Sequence, residues 1–286
     1  MKEFILNILR GMVIGLANVI PGVSGGTMMV SMGIYDKLIF VLTHFIKKFK
    51  EAVMLVAPIG IGMVLAIVLL SKAFSEILFP KYPVQTNLFF IGLIIGSLPV
   101  IYGKVKGKKT GIGSIIAFAV FFVLVVGMAL MGEGVDTGAD VSLSLINIVK
   151  LFFVGVIAAA TMVIPGVSGS MIMMILGYYN TIIDSINGFV NALMAFDIAG
   201  IISYCIILVP FGIGAVIGIV GVAKLVEFML KKHSQIAYWG IIGLILASPF
   251  AILIMMGATA VGVFEIATGI VALVVGFFIA LKLGGE

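Results

Sequence analysis

Residues 17–39 read ANVIPGVSGGTMMVSMGIYDKLI, and residues 161–183 read TMVIPGVSGSMIMMILGYYNTII. Aligned without gaps, the two stretches are identical at 11 of 23 positions. A second pair of blocks follows in the same order, since Pro58–Lys72 matches Pro210–Lys224 at 8 of 15 positions. Composition alone does not produce two ordered matches, so the chain is an internal duplication, and this fixes its architecture.

The composition places both copies in a membrane. Hydrophobic residues make up 63% of the chain and charged residues only 10%, with a mean hydropathy of +1.36. A soluble domain has about a quarter of its residues charged, so lipid must replace water around most of this chain. Its 286 residues leave room for roughly six to ten crossings of about 20 residues each. The net charge of +5 lies mainly in short loops, which indicates membrane topology and excludes nucleic acid as the partner.

Each half follows one plan, with a broken hydrophobic segment, an amphipathic stretch and three ordinary spans. A third matched block, GLIIGSLP at 92–99 and GLILASP at 243–249, falls in the middle span of each half. We expect the first repeat to cover residues 1–140 and the second to cover residues 141–286. The predicted ordinary spans are 52–71, 84–102 and 112–131 in the first repeat, and 198–220, 236–256 and 262–282 in the second.

The PGVSG segments cannot be simple spans. Proline lacks a backbone donor and glycine loosens a helix, so the backbone is free to turn there. Open backbone at membrane depth is tolerated only inside protein or beside a water-filled cavity. We therefore predict re-entrant or discontinuous helices over residues 4–34 and 145–179. The predicted fold class is an all-α polytopic membrane protein with two inverted-topology repeats, each a broken helix pair plus three transmembrane helices.

Inversion follows from an odd number of full crossings per half, and the positive-inside rule provides an independent test. With the N-terminus in the cytoplasm, only Lys72, Lys81 and Lys150 fall outside. The remaining loop and helix-end lysines fall inside: Lys37, Lys47, Lys48, Lys50, Lys104, Lys106, Lys108, Lys109, Lys224, Lys231, Lys232 and Lys282. Lys72 and Lys224 are equivalent in the repeat, so we expect them on opposite faces of the membrane.

The two PGVSG segments are also the candidate binding site. Ser24 and Ser168 suit the N-cap of the helix that follows each loop, and a helix start presents free N–H groups and roughly half a positive charge. In an inverted repeat the two loops meet near the bilayer midplane, so two such starts converge on one anion site. Close packing of two broken helices is the alternative reading of the same residues. The candidate binding residues are Pro21, Gly22, Val23, Ser24, Gly25, Gly26, Thr27, Pro165, Gly166, Val167, Ser168, Gly169 and Ser170.

Three further side chains are candidates for the same site. Arg10 is the only arginine, and its guanidinium suits a phosphate, although it also has the reach to snorkel to the interface. Tyr35 and Tyr179 can donate hydrogen bonds to a head group or anchor the chain at the interface. His44 and His233 lie among lysines without metal-ligand spacing. We expect both to be solvated, and we predict no metal, no cofactor and no catalytic residue.

With PGVSGGT followed by Tyr35-Asp36 and PGVSGS followed by Tyr179-Asn180, the chain resembles the bacterial polyprenyl-phosphate translocases over nearly its whole length. The resemblance implies a flippase of the bacterial cell membrane that returns undecaprenyl phosphate from the outer to the inner leaflet. There the lipid is reused as a carrier in cell-envelope synthesis. The resemblance also implies that Pro21–Thr27 and Pro165–Ser170 form the head-group site. The implied partners are the polyprenyl-phosphate lipid and the bilayer, and the oligomeric state stays open, an oligomer included.

Two other functions use similar features. Membrane undecaprenyl-pyrophosphate phosphatases share inverted repeats and a PGxSRSxxT loop, but this chain has Gly25-Gly26 and Gly169-Ser170 where that motif needs Arg-Ser. An enzyme that breaks a pyrophosphate bond needs a cation and an activated nucleophile, and neither occurs in these loops. A channel or carrier for small anions would use the same helix starts, and the sequence separates it poorly from a flippase.

Overall fold

A computed structural model describes residues 2–19, 24–73, 77–78, 81–131, 144–257 and 262–284. Within these residues the chain is helical and contains no strand. The helices are α1 (Lys2–Val19), α2 (Gly25–Ser31), α3 (Tyr35–Thr43), α4 (Phe49–Ala73), α5 (Pro83–Val105), α6 (Ile112–Met131), α7 (Leu145–Val163), α8 (Gly169–Ile175), α9 (Tyr179–Met194), α10 (Ile198–Lys232), α11 (Ser234–Met256) and α12 (Val263–Gly284). The predicted all-α membrane fold class is confirmed.

The helices break at the two PGVSG segments. In the second copy α7 ends at Val163 and α8 begins at Gly169, so the predicted interruption is confirmed there. In the first copy α1 ends at Val19 and α2 begins at Gly25. The intervening residues 20–23 lie outside the described residues. After α2 the chain bends by 116° into α3.

Seven of the described helices are long and apolar enough to cross a bilayer, and the bent pair of α2 and α3 makes an eighth candidate. Six of the seven are the predicted ordinary spans, with ends that differ by a few residues. The exception is α10, which continues to Lys232 instead of stopping near residue 220. The stretch after residue 220 contains one glycine at its start and no proline, so nothing in it ends the helix.

Close contact between α1 and α4 determines the path of the first hairpin. A Cβ on Gly11 would lie 2.1 Å from the Ile59 carbonyl oxygen, and one on Gly15 would lie 2.7 Å from the Met63 oxygen. Both partners advance by four residues, so α1 and α4 run in the same direction. The chain must therefore return between them through α2 and α3. The segment before α4 thus enters and leaves at the same end of the helix bundle.

The second repeat reproduces this crossing. A Cβ on Gly62 of α4 would lie 2.0 Å from the Ile8 oxygen, and a Cβ on Gly214 of α10 would lie 2.0 Å from the Phe152 oxygen. Gly62 aligns with Gly214, and Ile8 aligns with Phe152. Gly155, the counterpart of Gly11, packs in the same way against α10. The duplication is therefore visible in the backbone contacts of each repeat as well as in its sequence.

The remaining spans pack between repeats. A Cβ on Gly92 of α5 would lie 2.0 Å from the Leu273 oxygen of α12, and one on Gly243 of α11 would lie 2.4 Å from the Phe118 oxygen of α6. The middle span of each repeat thus packs on the last span of the other repeat. The two repeats are interlocked through these four helices.

The chain forms two compact units that do not follow the repeat boundary. One unit contains Met1–Leu130, Ile164–Val167 and Ala223–Glu286, and the other contains Met131–Val163 and Ser168–Val222. The division into repeats at residues 1–140 and 141–286 stays a prediction about the sequence.

Candidate functional site

The helix that follows the first PGVSG segment is buried over most of its length. All of its residues except Met29 are buried, and Ser24 at its start is 5% exposed. The sequence GGTMMVS permits this because glycine, serine and threonine let neighbouring backbones come close, as is common in membrane helix packing. Met28 fills the core, as methionine often does. Helix α2 therefore places the small polar residues of the first motif inside the protein.

The second motif contacts this helix directly. The Gly166 N–H donates a hydrogen bond of 2.7 Å to the Thr27 Oγ1. A Cβ on Gly26 would lie 3.2 Å from the Ile164 oxygen and from the Pro165 Cα. The structure thus brings Gly26 and Thr27 of the first copy together with Pro165 and Gly166 of the second.

Gly166 has a backbone conformation that only glycine adopts easily. Its φ is +79°, and a Cβ there would lie 3.0 Å from the Leu244 oxygen and 3.3 Å from the Ser248 Oγ. The turn begins where α7 ends, because Pro165 cannot continue the helix. The glycine of the second PGVSG segment therefore lets the loop turn against α11.

The two motif serines differ. Ser168 caps α8, since its Oγ accepts from the Met171 N–H at 3.5 Å and lies 2.8 Å from the Ser170 Oγ. Ser24 occupies the corresponding N-cap position, but its side chain makes no capping bond. Among the described residues no partner lies within hydrogen-bonding distance of its buried Oγ. A buried hydroxyl without a partner costs free energy, and a ligand or water oxygen would satisfy it.

The other motif residues have different positions. Gly169 packs on its own hairpin, because a Cβ there would lie 2.8 Å from the Ala158 oxygen of α7. Val167 is buried, and Gly25 is buried in the first turn of α2. Pro21, Gly22 and Val23 lie outside the described residues.

Arg10 lies in α1 and is 6% exposed, which is not the position of a side chain that snorkels to the interface. Its Nη1 donates a hydrogen bond of 3.1 Å to the Asn7 Oδ1.

Tyr179 starts α9 and is half-buried. His233 is exposed as expected. His44 is 32% exposed, and its Nδ1 lies 2.9 Å from the Thr43 Oγ1 and 3.1 Å from the Phe40 oxygen, so it is partly solvated.

A polar cluster lies at the other end of α2. Tyr35 is buried at the start of α3, and the next residue, Asp36, accepts hydrogen bonds from the Tyr238 Oη at 2.7 Å and the Lys104 Nζ at 3.2 Å. These residues line a cavity of about 190 Å³. Sequence reasoning noted Asp36 and Lys104 but missed Tyr238. No periodicity or motif links the three residues, which come from α3, α5 and α11.

No group of three or more histidine, cysteine, aspartate or glutamate side chains suited to a metal ion occurs in the part of the chain that the structure describes. Glu265 accepts a hydrogen bond of 2.7 Å from the Gly262 N–H at the exposed start of α12. This contact is local to the start of the helix, so Glu265 is a solvated side chain at the end of a loop.

Comparisons with known proteins agree with the sequence resemblance. The profile of a family described as undecaprenyl phosphate translocase-like matches residues 14–269. A Staphylococcus aureus protein named polyprenyl-phosphate transporter is 32% identical, with 98% of this chain and 95% of that protein aligned. A Vibrio cholerae protein of the same name is 26% identical over 86% of this chain and 76% of its own length. No solved structure matches.

Proposed function

We propose that this chain, which belongs to the undecaprenyl phosphate translocase-like family, transports a polyprenyl phosphate across the bilayer. The family match covers most of the chain, and the two relatives above are named as transporters of this lipid class. A role as a transporter, not an enzyme, fits the motif loops, which lack the cation and nucleophile of a phosphatase. The structural observation that carries the proposal is the partly buried hydrogen bond between Thr27 and Gly166, which joins the two motif copies.

The phosphate of the lipid binds, in this proposal, where the two motifs meet. Ser24 supplies a buried hydroxyl that has no partner among the described residues, and the glycines allow an anion to approach the backbone. Helix α2 has only seven residues, so individual N–H and O–H donors matter more here than a long helix dipole. Arg10 is buried in the hairpin of the first motif, and a guanidinium there favours a phosphate ligand.

Transport then requires only the head group to cross. The prenyl chain stays in the lipid phase, where it is already solvated, while the charged phosphate uses the protein interior. We propose net movement from the outer to the inner leaflet of the bacterial cell membrane, which returns the carrier for envelope synthesis. The N-terminus is then cytoplasmic, because this orientation places most lysines on that side.

Inverted topology is part of the proposal, and Asp36 supports it. This side chain contacts Lys104 in the last turn of α5 and Tyr238 near the start of α11. Helices α5 and α11 are equivalent in the repeat. The end of one helix and the beginning of the other lie at the same residue, which supports opposite directions for the two equivalent helices.

The glycine contacts indicate which parts can move together. Helices α1 and α4 touch at backbone distance through Gly11, Gly15 and Gly62, so we expect this hairpin and span to move as one body. The pairs α5–α12 and α6–α11 join the repeats through equally close contacts. Rocking of two separate halves would break both pairs, so we propose that these four helices form the fixed frame.

The test is a lipid-transport measurement with purified protein in liposomes. We expect the protein to accelerate transbilayer movement of labelled undecaprenyl phosphate, and Ser24→Arg or Ser168→Arg to abolish it. Ser24→Ala should reduce transport without lowering thermal stability, because it removes a hydroxyl that makes no bond to a described residue. Ser185→Ala is the matched control, since Ser185 is also buried but donates to the Thr181 oxygen.

Three results would contradict the proposal. Unchanged transport in both arginine variants would remove the motifs from the mechanism. An electrical current carried by small anions, without any effect on lipid distribution, would assign the same site to an anion channel. Release of inorganic phosphate from undecaprenyl pyrophosphate would indicate an enzyme, and we expect none.

A further inference from the structure

We propose that Lys104 and Tyr238 form a second binding site for the lipid phosphate, at which the Asp36 carboxylate takes the position of the phosphate in the conformation described. This inference rests on the proposed function and adds a second binding site along the path of the head group. It assigns a ligand class, a phosphate monoester, to residues outside both PGVSG motifs.

The donor geometry is that of an oxyanion site. The Tyr238 Oη at 2.7 Å and the Lys104 Nζ at 3.2 Å both contact the same carboxylate oxygen, Asp36 Oδ2. The Lys104 Nζ also lies 5.8 Å from the centre of the Tyr238 ring, so the two donors support each other. An ammonium and a phenol that converge on one oxygen would serve a phosphate oxygen equally well.

Space for a head group lies beside these donors. The cavity of about 190 Å³ is lined by Asp36, Lys104 and Tyr238 together with Val30 and Gly33. This volume is sufficient for a phosphate group of five heavy atoms. Its walls are mixed, with polar atoms at the donors and apolar side chains elsewhere, as is usual for small-molecule sites.

The cavity is close to the first motif along one helix. Val30 lies at the C-terminal end of α2, and the motif residue Ser24 lies at its start. Seven helical residues span about 10 Å at 1.5 Å per residue. A head group that leaves the motif therefore has the second site within the length of one short helix.

The exchange of carboxylate for phosphate requires little rearrangement. The side chains of Lys104 and Asp36 are 50% and 41% exposed, and an ion pair with that much solvent is weak. A displaced Asp36 can turn to water. A phosphate monoester carries about −1.5 to −2 charges near neutral pH, more than the single charge of a carboxylate, so it competes effectively for Lys104.

The repeat shows that this site exists at one end only. Asp36 aligns with Asn180, Lys104 aligns with Met255, and Tyr238 aligns with Asn87. The counterpart positions therefore carry neither the cation nor the carboxylate. The charged site therefore lies only at the end of the path that carries Asp36 and Lys104. The predicted cytoplasmic lysines lie at the same end.

Binding of a water-soluble geranyl monophosphate to the purified full-length protein tests the inference. Calorimetry with the Ser24→Asp variant isolates the second site, because a carboxylate added at the buried motif site repels the phosphate. In this background we expect Asp36→Asn to tighten binding about tenfold, since a neutral amide oxygen holds both donors less strongly than the carboxylate does. Lys104→Gln combined with Tyr238→Phe should weaken binding at least tenfold, and Lys104→Arg should keep it.

The controls separate this site from general charge effects and from the proposed function. Lys109→Gln removes an exposed lysine five residues after Lys104 in the sequence and should leave binding unchanged. Thermal melting identifies any variant that fails to fold. If Asp36→Asn leaves the affinity unchanged or lowers it, the exchange site is wrong. Lipid transport by the wild-type protein is measured separately. If the wild-type protein transports the lipid but Asp36→Asn does not tighten binding, only this inference is overturned. If Asp36→Asn tightens binding but the wild-type protein does not transport the lipid, only the proposed function is overturned.

Discussion

The Oγ1 of Thr27 and the backbone nitrogen of Gly166 lie 2.7 Å apart, although 139 residues separate them in the chain. The second repeat cannot form the equivalent hydrogen bond, because the position equivalent to Thr27 is Met171. One motif thus supplies a hydroxyl acceptor and the other a backbone donor. The two halves therefore differ in sequence at this point, and the difference allows the hydrogen bond between them.

Removal of the Thr27 hydroxyl should disrupt this junction. Thr27→Val keeps the shape but leaves the Gly166 N–H without its acceptor, which costs about 1–3 kcal/mol for a buried group. We expect a lower thermal midpoint in detergent and slower lipid transport in liposomes, and Thr27→Ser should restore both.

Thr161→Val is the control for this substitution. The Thr161 hydroxyl donates only to the Ala158 oxygen one turn back in its own helix, so its loss should leave both measurements nearly unchanged. Equal effects of the two valine variants would show that the junction has no special role.

The close crossings of α1 with α4 and of α7 with α10 should depend on single glycines. Gly62→Ala and Gly214→Ala would each place a Cβ 2.0 Å from a carbonyl oxygen of the partner helix. Forced separation of packed helices costs about 1–3 kcal/mol, more than the roughly 0.5–1 kcal/mol that alanine gains over glycine in a helix. We expect lower thermal midpoints for both variants.

Gly60→Ala and Gly212→Ala provide matched controls two residues away on the same helices. No atom lies within 4 Å of a Cβ at either position, so these variants should melt at the wild-type temperature or slightly higher. If Gly62→Ala is as stable as Gly60→Ala, α1 and α4 are not packed as described.

The turn at Gly166 should tolerate no side chain. Gly166→Ala adds backbone strain at φ +79° and a contact of 3.0 Å with the Leu244 oxygen. Gly177 has a nearly identical φ of +76° with open space around it. Gly177→Ala should therefore show the strain alone, about 1–2 kcal/mol, while Gly166→Ala is less stable and loses transport. Equal stability and equal transport in the two variants would rule out the contact with α11.

Topology can be tested by cysteine labelling after replacement of Cys205, the single native cysteine. Helix α4 starts at Phe49 and runs for 25 residues, about 37 Å at 1.5 Å per residue. Lys72 lies near its far end. Lys224 is one turn from Glu227, which lies 3.7 Å from His44 just before α4 begins. We therefore expect impermeant reagents to label Lys72→Cys and Lys224→Cys from opposite sides.

Labelling of both positions from one side would contradict inverted repeats. Lys81→Cys is a suitable reference for the side of Lys72, because it is exposed and precedes α5.

The sequence by itself determined the duplication, the broken helices at the PGVSG segments and the six ordinary spans. These features depend on local properties: apolar runs of membrane length, proline without a donor and glycine with a free backbone. Hydropathy even located most helix ends, and it failed at α10, where an amphipathic extension continues the helix beyond the apolar run.

Only the tertiary structure decided which helices touch. The interlocked pairs α5–α12 and α6–α11, the Thr27–Gly166 bond and the convergence of Lys104 and Tyr238 on Asp36 join residues far apart in the chain. Their choice depends on where glycine surfaces allow backbones to meet and on which buried polar groups find partners. Hydropathy evaluates one helix at a time, so such pairings between helices are invisible to it.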